Sequence, residues 1–184
     1  MFDSDPSLES QVTKLDAARR QLETAIRLLF EQADEVATHT LAFAAFGILK
    51  GVAQHRKERR VLAAAEELAA KDKAFWSRFN RKGNFFKHAD TDPEGNVPEI
   101  PEEENEALIS LGVEMYRDLK CPITPEIEAF YLWWRCIHFS PIEDVKEPFV
   151  SWINQNAPRL QSDRRSELLV LGQELYALFR SQRK

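Results

Sequence analysis

Apolar residues recur every three or four positions along most of this chain, which is the spacing that gives an α-helix one buried face. In the first stretch, at about residues 8–31, they are Leu8, Val12, Leu15, Ala18, Leu22, Ala25, Ile26, Leu29 and Phe30. This pattern predicts a helix with Ser7 as its N-cap. A second helix is predicted to begin near Ala33 or Asp34 and to end at Gly51; it is apolar on nearly all sides, so we expect it at the centre of the fold.

The middle of the chain combines a third helical region with a clear interruption. Residues 57–79 are amphipathic at the helical period, and residues 80–90 can continue the same helix. Gly83 weakens that continuation, because glycine inside a helix costs about 1 kcal/mol relative to alanine. Three prolines then interrupt the chain within DTDPEGNVPEIPEEE. We therefore expect a long acidic loop at about residues 89–103, which ends the front group of helices (about 7–88).

A back group of helices is predicted behind this loop, at about residues 104–182. Its members are expected at about residues 104–119, 125–139, 142–155 and 162–181. Thr124 and Ser140 stand where the N-caps of two of them belong, each followed by a proline suited to a first helical turn. The alternation of apolar and polar residues that indicates a strand is not visible. The expected fold is therefore an all-α, single-domain bundle of six to seven helices.

Composition narrows the class of protein further. The chain has 184 residues, 43% of them hydrophobic and 30% charged, which is ordinary usage for one soluble domain. Its only cysteines are Cys121 and Cys136, so we expect no disulfide framework and a reducing compartment. The first ten residues are acidic where a signal peptide is basic, and no apolar run approaches the ~18 residues of a membrane span. These features predict a cytoplasmic protein with no membrane partner.

Charge is unevenly distributed around the predicted loop. Residues 56–87 contain ten Lys or Arg against four acids, whereas residues 89–107 contain eight acids and no base. The net charge of −5 gives no general attraction for nucleic acid, so any such attraction must come from a local patch. The simplest interpretation of the two runs is a solvated helix face followed by a solvated loop.

The densest group of polar side chains lies where the two runs meet. Arg81, Asn84 and His88 are spaced i, i+3 and i+7, so a helix here would carry a cation, an amide and an imidazole on one face. Such a set can do acid–base chemistry on a phosphodiester, because histidine exchanges protons near neutral pH and arginine holds a developing phosphate charge. The same residues can instead be structural: a helix cap, an arginine paired with a surface acid, and an amide bonded to backbone.

The spacing Arg81-x6-His88 resembles the R-x4–6-H motif of the HEPN superfamily, whose members are all-α bundles that include metal-independent ribonucleases. The resemblance implies Arg81 and His88 as the active pair, Asn84 in the polar position of the motif, the RNA 2′-hydroxyl as nucleophile, no cofactor, and a homodimer that brings two such pairs into one cleft. Asn84 stands three residues after Arg81 rather than next to it, and many HEPN domains are noncatalytic binding modules. The segments AIRLLFEQADEVATHTLAFAAFGIL and NFFKHADTDPEG are also similar to a group of uncharacterised bacterial proteins, over about the first hundred residues.

The function predicted from these residues is binding of RNA or a nucleotide. A further prediction is that the protein also cleaves the RNA that it binds. Arg78, Lys87 and Asp90 flank the motif and complete the candidate binding residues together with His39, which lies in the apolar second helix. Two alternatives stay open. One is a noncatalytic module in which the acidic loop or the aromatic back half meets a protein partner; the other is a metal or small-molecule pocket between His39 and His88, with Asp90 beside it.

Overall fold

Seven α-helices account for most of the chain that the structure, a computed structural model, describes: residues 11–58, 63, 66, 67, 70, 73–88, 90, 92–139 and 145–183. They are α1 (Lys14–Phe30), α2 (Glu35–Arg56), α3 (Lys73–Phe85), α4 (Glu102–Asp118), α5 (Pro125–His138), α6 (Phe149–Asn156) and α7 (Arg165–Ser181), with a 3₁₀ turn at Arg159–Gln161. The described residues contain no strand. The prediction of an all-α bundle with six to seven helices is therefore confirmed.

The first helix begins later than its apolar pattern predicts. Its N-cap is Thr13, whose hydroxyl oxygen accepts a hydrogen bond from the backbone N–H of Asp16 at 3.1 Å, while the hydroxyl donates to the Asp16 carboxylate at 2.8 Å. This reciprocal pair satisfies a backbone donor that the first turn would otherwise leave open. Ser7, the predicted cap, lies outside the described residues.

The second helix continues past its predicted end. Gly51 lies in the interior of α2, which ends at Arg56, and Lys57 terminates the helix with a left-handed backbone (φ 58°). The prediction of a stop at Gly51 is wrong because a helix tolerates an isolated glycine at a modest cost in free energy. Lys57 also separates α2 from the next helix, so the third helical region does not begin there. Most of residues 59–72 lie outside the described residues, and α3 is described from Lys73.

Two helix starts in the back half also differ from the sequence-based expectation. The helix predicted at 142–155 is described as the shorter α6, which begins at Phe149 after Pro148. Ser140, its predicted cap, lies outside the described residues. Thr124 does stand at the N-cap of α5, but its side chain makes no capping hydrogen bond. Helix α7 begins at Arg165, three residues later than predicted, because the backbone is extended at Ser162 and again at Arg164.

The front and back helices share one hydrophobic core. Helix α1 packs against α2, α4, α5 and α7, and α2 packs against α4 from beyond the acidic loop. At the centre, the Phe30 ring meets the Trp133 ring edge-to-face at 5.3 Å, and the Trp133 indole N–H donates to the Leu168 carbonyl at 2.6 Å. Gly172 allows α7 to approach Phe30, since a Cβ there would overlap that ring. The acidic loop thus divides the sequence without dividing the core.

Helix α2 is long and apolar enough, by length and composition, to cross a membrane, and within the described residues it alone meets that test. In the bundle it lies against α1 and α4, and Ala42, Ala45 and Leu49 on its inner side are fully buried. Its outer side is exposed at Gly47, Lys50 and Gly51. The expectation that α2 is central on all sides is therefore wrong, because only its inner side packs against other helices.

Candidate functional site

Helix α3 presents one face to the core and the other to solvent. Phe79, Lys82 and Gly83 are buried, whereas Arg81 and Asn84 are exposed. This division follows the helical period, because residues three and four apart share a face. The outer face of α3 therefore carries polar residues from the HEPN-like motif, as the spacing predicts.

The helical hydrogen bonding continues beyond the last residue of α3. The backbone N–H of Phe86 donates to the Lys82 carbonyl at 3.0 Å, and that of His88 donates to the Asn84 carbonyl at 3.0 Å. His88 consequently follows Asn84 by one further turn, and its side chain is 57% exposed. Arg81, Asn84 and His88 thus stand exposed on successive turns of one segment.

Gly83 supports this geometry instead of breaking it. A Cβ atom on Gly83 would lie 2.5 Å from the ring of Phe43, far inside van der Waals contact. Glycine is therefore the residue that lets α3 approach α2 so closely. The expected weakening of the helix at Gly83 does not interrupt α3.

The other residues around the motif differ in their surroundings. Lys87 places its ammonium 4.5 Å from the centre of the Phe43 ring, and desolvation lowers the pKa of Lys87. Asp90 is exposed, with a carboxylate oxygen 4.0 Å from Nδ1 of His88, the outer limit of an ion pair. Arg78 belongs to α3, and its side chain lies outside what the structure describes.

His39 is fully buried, and its hydrogen bonding indicates which ring nitrogen carries a proton. Its Nδ1 lies 3.0 Å from Oδ1 of Asn105, whose Nδ2 donates to the Glu35 carbonyl at 3.1 Å. Because the Asn105 amide donates on one side, its oxygen must accept on the other, so Nδ1 of His39 carries the proton. Burial lowers the pKa of His39, which favours the neutral imidazole.

Aromatic rings surround this histidine. The closest ring centres are those of Phe86 at 5.8 Å, Phe79 at 6.0 Å and Phe43 at 6.2 Å. Among the residues that the structure describes, none is a hydrogen-bond partner of Nε2 of His39, and this atom is buried. The structure thus places His39, a predicted binding residue, in the core, where it contacts α3 through Phe79 and α4 through Asn105.

The pocket predicted between His39 and His88 is not formed by these side chains. One histidine is buried and bonded to Asn105, and the other is exposed beside Asp90. Nowhere in the described part of the chain do three or more His, Cys, Asp or Glu side chains form a group that could hold a metal ion. The described residues therefore supply no donor set for that alternative.

Buried charged residues near His39 were not anticipated from the sequence. Nζ of Lys82 lies 2.6 Å from a carboxylate oxygen of Glu104 and also donates to the Glu99 carbonyl at 3.1 Å. Glu106, also buried, forms an ion pair with Arg165 of α7. The interpretation of both charge runs as solvated surface is wrong for Lys82, Glu104 and Glu106, because each has an opposite charge within reach in the core.

The sequence of α4 contains a signal for the hydrogen bond between Asn105 and His39. Asn105 precedes Leu108, Ile109 and Gly112 at i+3, i+4 and i+7, which puts the amide at the start of the buried stripe of α4. A polar residue in such a stripe needs a partner. The partner, His39, is 66 residues away in the sequence, so only the packing of α2 on α4 reveals it.

An open groove lies along the outer side of α2, with a volume of about 880 Å³. Its described lining comes from the start of α1, from α2 and from the residue after the last turn of α3: Thr13, Lys14, Leu15, Ala44, Gly47, Ile48, Gly51, Val52, His55, Arg56 and Lys87. None of these lining residues is acidic. We call this feature the α1/α2 groove.

Comparison with known proteins gives no match: the chain matches no family model, no curated protein and no solved structure. The resemblance to the HEPN superfamily and to the uncharacterised bacterial group therefore stays a prediction. What this chain does has to be inferred from the side chains that it exposes.

Proposed function

We propose that this protein is a cytoplasmic, HEPN-like bundle that binds RNA on the outer face of α3 and cleaves it there. The observation that carries the proposal is the exposure of Arg81, Asn84 and His88 on successive turns of one helical segment. Within the described residues, Arg81 has no hydrogen bond or ion pair that would occupy its guanidinium. A guanidinium in solvent is available to hold a phosphate through paired hydrogen bonds.

The proposed reaction uses the 2′-hydroxyl of RNA as the nucleophile. Its oxygen attacks the adjacent phosphorus while the bond from phosphorus to the 5′-oxygen breaks, which yields a 2′,3′-cyclic phosphate and a 5′-hydroxyl. His88 takes the proton from the 2′-hydroxyl, and the departing 5′-oxygen takes one from water. Arg81 stabilises the negative charge that develops on the phosphorane, and Asn84 hydrogen-bonds the strand.

A homodimer is part of the same proposal, because the resemblance implies two Arg81–His88 pairs in one cleft. A single exposed pair on one helix face has little to exclude water from the reacting phosphate. Two faces brought together would enclose it. Light scattering of the purified full-length chain measures the mass and so tests this part on its own.

The test of RNA binding and cleavage uses labelled single-stranded RNA and the DNA of the same sequence. We expect the protein to bind RNA with an affinity that falls with added salt, and to cleave RNA but not DNA, which lacks the nucleophile. His88→Ala should slow cleavage by about a hundredfold or more. Arg81→Ala should weaken binding by about tenfold or more and make its salt dependence shallower.

Matched controls come from exposed residues of the same types elsewhere. Arg20→Ala on α1, Asn154→Ala on α6 and His138→Ala at the end of α5 remove the same side chains without touching α3. All three should behave as wild type. If wild type leaves RNA intact, and His88→Ala and Arg81→Ala bind every tested nucleic acid as wild type does, the proposal is wrong.

A further inference from the structure

The floor of the α1/α2 groove is aliphatic and lies between two glycines. Gly47 and Gly51 are one turn apart on α2, are exposed, and have no atom within 4 Å of the position that a Cβ would take. Ile48 and Val52 lie beside them, half-buried, and Leu15 of α1 lines the same space. The two glycines leave the α2 backbone bare where its neighbours are apolar, so a second helix can approach α2 closely there.

Cations stand at both ends of this floor. The cations Lys14 and Arg56 lie where the start of α1 meets the end of α2, next to the His55 side chain, and Lys87 lies at the other end beside Phe43. The stretch of α2 from Ala44 to Arg56 covers about 18 Å at the rise of an α-helix, which is about three turns. The described lining has no acid to neutralise these cations.

We propose that the α1/α2 groove binds an acidic amphipathic helix of a partner protein, about three turns long, with aliphatic residues on the floor and carboxylates at both ends. Helices bind such grooves through apolar residues at i, i+3, i+4 and i+7. The positive rim then selects an acidic partner and sets the rate of encounter.

Other occupants fit the groove less well. Single-stranded nucleic acid gains much of its affinity from stacking on aromatic rings, and the described lining offers aliphatic side chains and glycine instead. A simple fatty acid carries one charged head, whereas the cations here lie at two separated ends. Of the candidate RNA-binding residues, the described lining of this groove contains only Lys87. The variants that test the groove leave Lys87 and the outer face of α3 unchanged, so the test does not depend on ribonuclease activity.

The experiment measures binding of a fluorescent, designed peptide to the full-length protein by anisotropy. The probe is an acidic amphipathic peptide with a leucine and alanine face; a scrambled peptide of the same composition and a version with lysine in place of glutamate are its comparators. We expect saturable binding of the acidic peptide, at least tenfold tighter than either comparator and weaker at high salt.

Variants of the protein locate the site. Gly51→Phe fills the groove and should weaken binding at least tenfold, while Lys50→Phe, the same new side chain at an exposed position of α2 outside the groove, should not. Lys14→Glu together with Arg56→Glu reverses the rim and should weaken binding of the acidic peptide while strengthening that of the lysine version. These surface changes keep the test valid if Gly51→Phe folds poorly.

Several results would overturn the proposal. One is equal affinity of the protein for the three peptides, and another is peptide binding that neither Gly51→Phe nor the rim-reversal variant changes. The others are a dimer in light scattering that Gly51→Phe dissociates, and loss of RNA binding in the rim-reversal variant. The last two would assign the groove to a second copy or to RNA. A lowered melting temperature of Gly51→Phe alone, with rim reversal having no effect on peptide binding, would mean that the chain itself fills the groove and would also overturn it.

Discussion

The two faces of α3 carry similar side chains into opposite surroundings. On the outer face, Arg81 and Asn84 are in solvent and His88 follows them on the next turn. On the inner face, Lys82 is only 4% exposed and is held by Glu104, and Gly83 lies against Phe43. Arg81 and Lys82 are adjacent cations in one basic stretch. Arg81 is available to a ligand, whereas Lys82 is buried and paired with Glu104.

The direction in which a side chain points, rather than its charge, decides what it can do on this helix. Lys82 is satisfied by an opposite charge and a backbone carbonyl, so its charge is not available to a phosphate. The outer residues make no comparable contact within the described chain. If this contrast is correct, inner-face substitutions should change stability and outer-face substitutions should change function.

The largest effect on stability is expected from breaking the Lys82–Glu104 pair. Lys82→Met leaves the Glu104 carboxylate buried without its cation, and Glu104→Gln leaves the ammonium without its anion. Removing one partner of a buried pair costs about 3–5 kcal/mol of the free energy of unfolding, which urea denaturation measures.

The control for this prediction is the double variant Lys82→Met with Glu104→Leu. Replacing both charges by apolar groups of similar volume removes the uncompensated charge, so most of the lost stability should return. If each single variant unfolds within about 1 kcal/mol of wild type, the pair is not buried as described and the contrast between the two faces fails.

The next largest effect on stability is expected from Gly83→Ala, for which packing and helix propensity predict changes of opposite sign in the free energy of unfolding. Propensity alone gives Gly83→Ala a gain of about 1 kcal/mol. The overlap of the new methyl group with Phe43 should instead destabilise the fold by about 1–3 kcal/mol, as overpacking of a core does. Thermal unfolding measures the outcome.

Gly47→Ala is the matched control, because Gly47 is also inside a helix but has open space around it. It should stabilise the protein by about 0.4–1 kcal/mol. Equal and stabilising effects at both glycines would show that α3 does not approach α2 closely.

Much of the fold follows from the apolar period, while the network around His39 does not. Helices that carry a clean stripe, such as α5 and α7, lie close to where the sequence predicts them. Helix ends depend on single residues and were less predictable: Gly51 is interior, and Lys57 ends α2 in a left-handed conformation that a lysine seldom adopts.

The separation of residues along the chain explains which spatial relations follow from the sequence. The exposed motif lies within eight residues, so helix geometry alone relates its members. The pairs His39–Asn105 and Lys82–Glu104 join residues 66 and 22 positions apart. The α1/α2 groove likewise combines separate segments, and residue types give no sign of such distant contacts before the helices are packed.

A pH-dependent effect on stability is expected at His39. Because burial lowers the pKa of His39 in the folded state, the unfolded chain binds a proton at a higher pH than the folded chain. Stability is therefore fully present above the ordinary histidine pKa of about 6.5 and is lost as pH falls below it, by at most about 1.4 kcal/mol per pH unit. Urea denaturation across this range measures the slope.

His39→Gln removes the titrating group, so the free energy of unfolding of this variant should depend less on pH below about 6.5. Burial also lowers the pKa of His138, so some slope remains in the variant. His55→Gln is the control, since that side chain is exposed and outside the buried network. A wild-type curve that matches His39→Gln between neutral pH and about pH 5 would contradict the buried neutral imidazole.

The smallest effect on stability is expected on the outer face, and it completes the comparison. Arg81→Ala and His88→Ala remove exposed side chains, so each should change the free energy of unfolding by less than about 0.5 kcal/mol. The same proteins should show weakened RNA binding and slowed cleavage. Unfolding curves and RNA titrations on one preparation of each variant separate the two properties. A loss of stability as large as that of Lys82→Met would make the outer residues structural, and any change in RNA binding would then report unfolding instead of a lost contact.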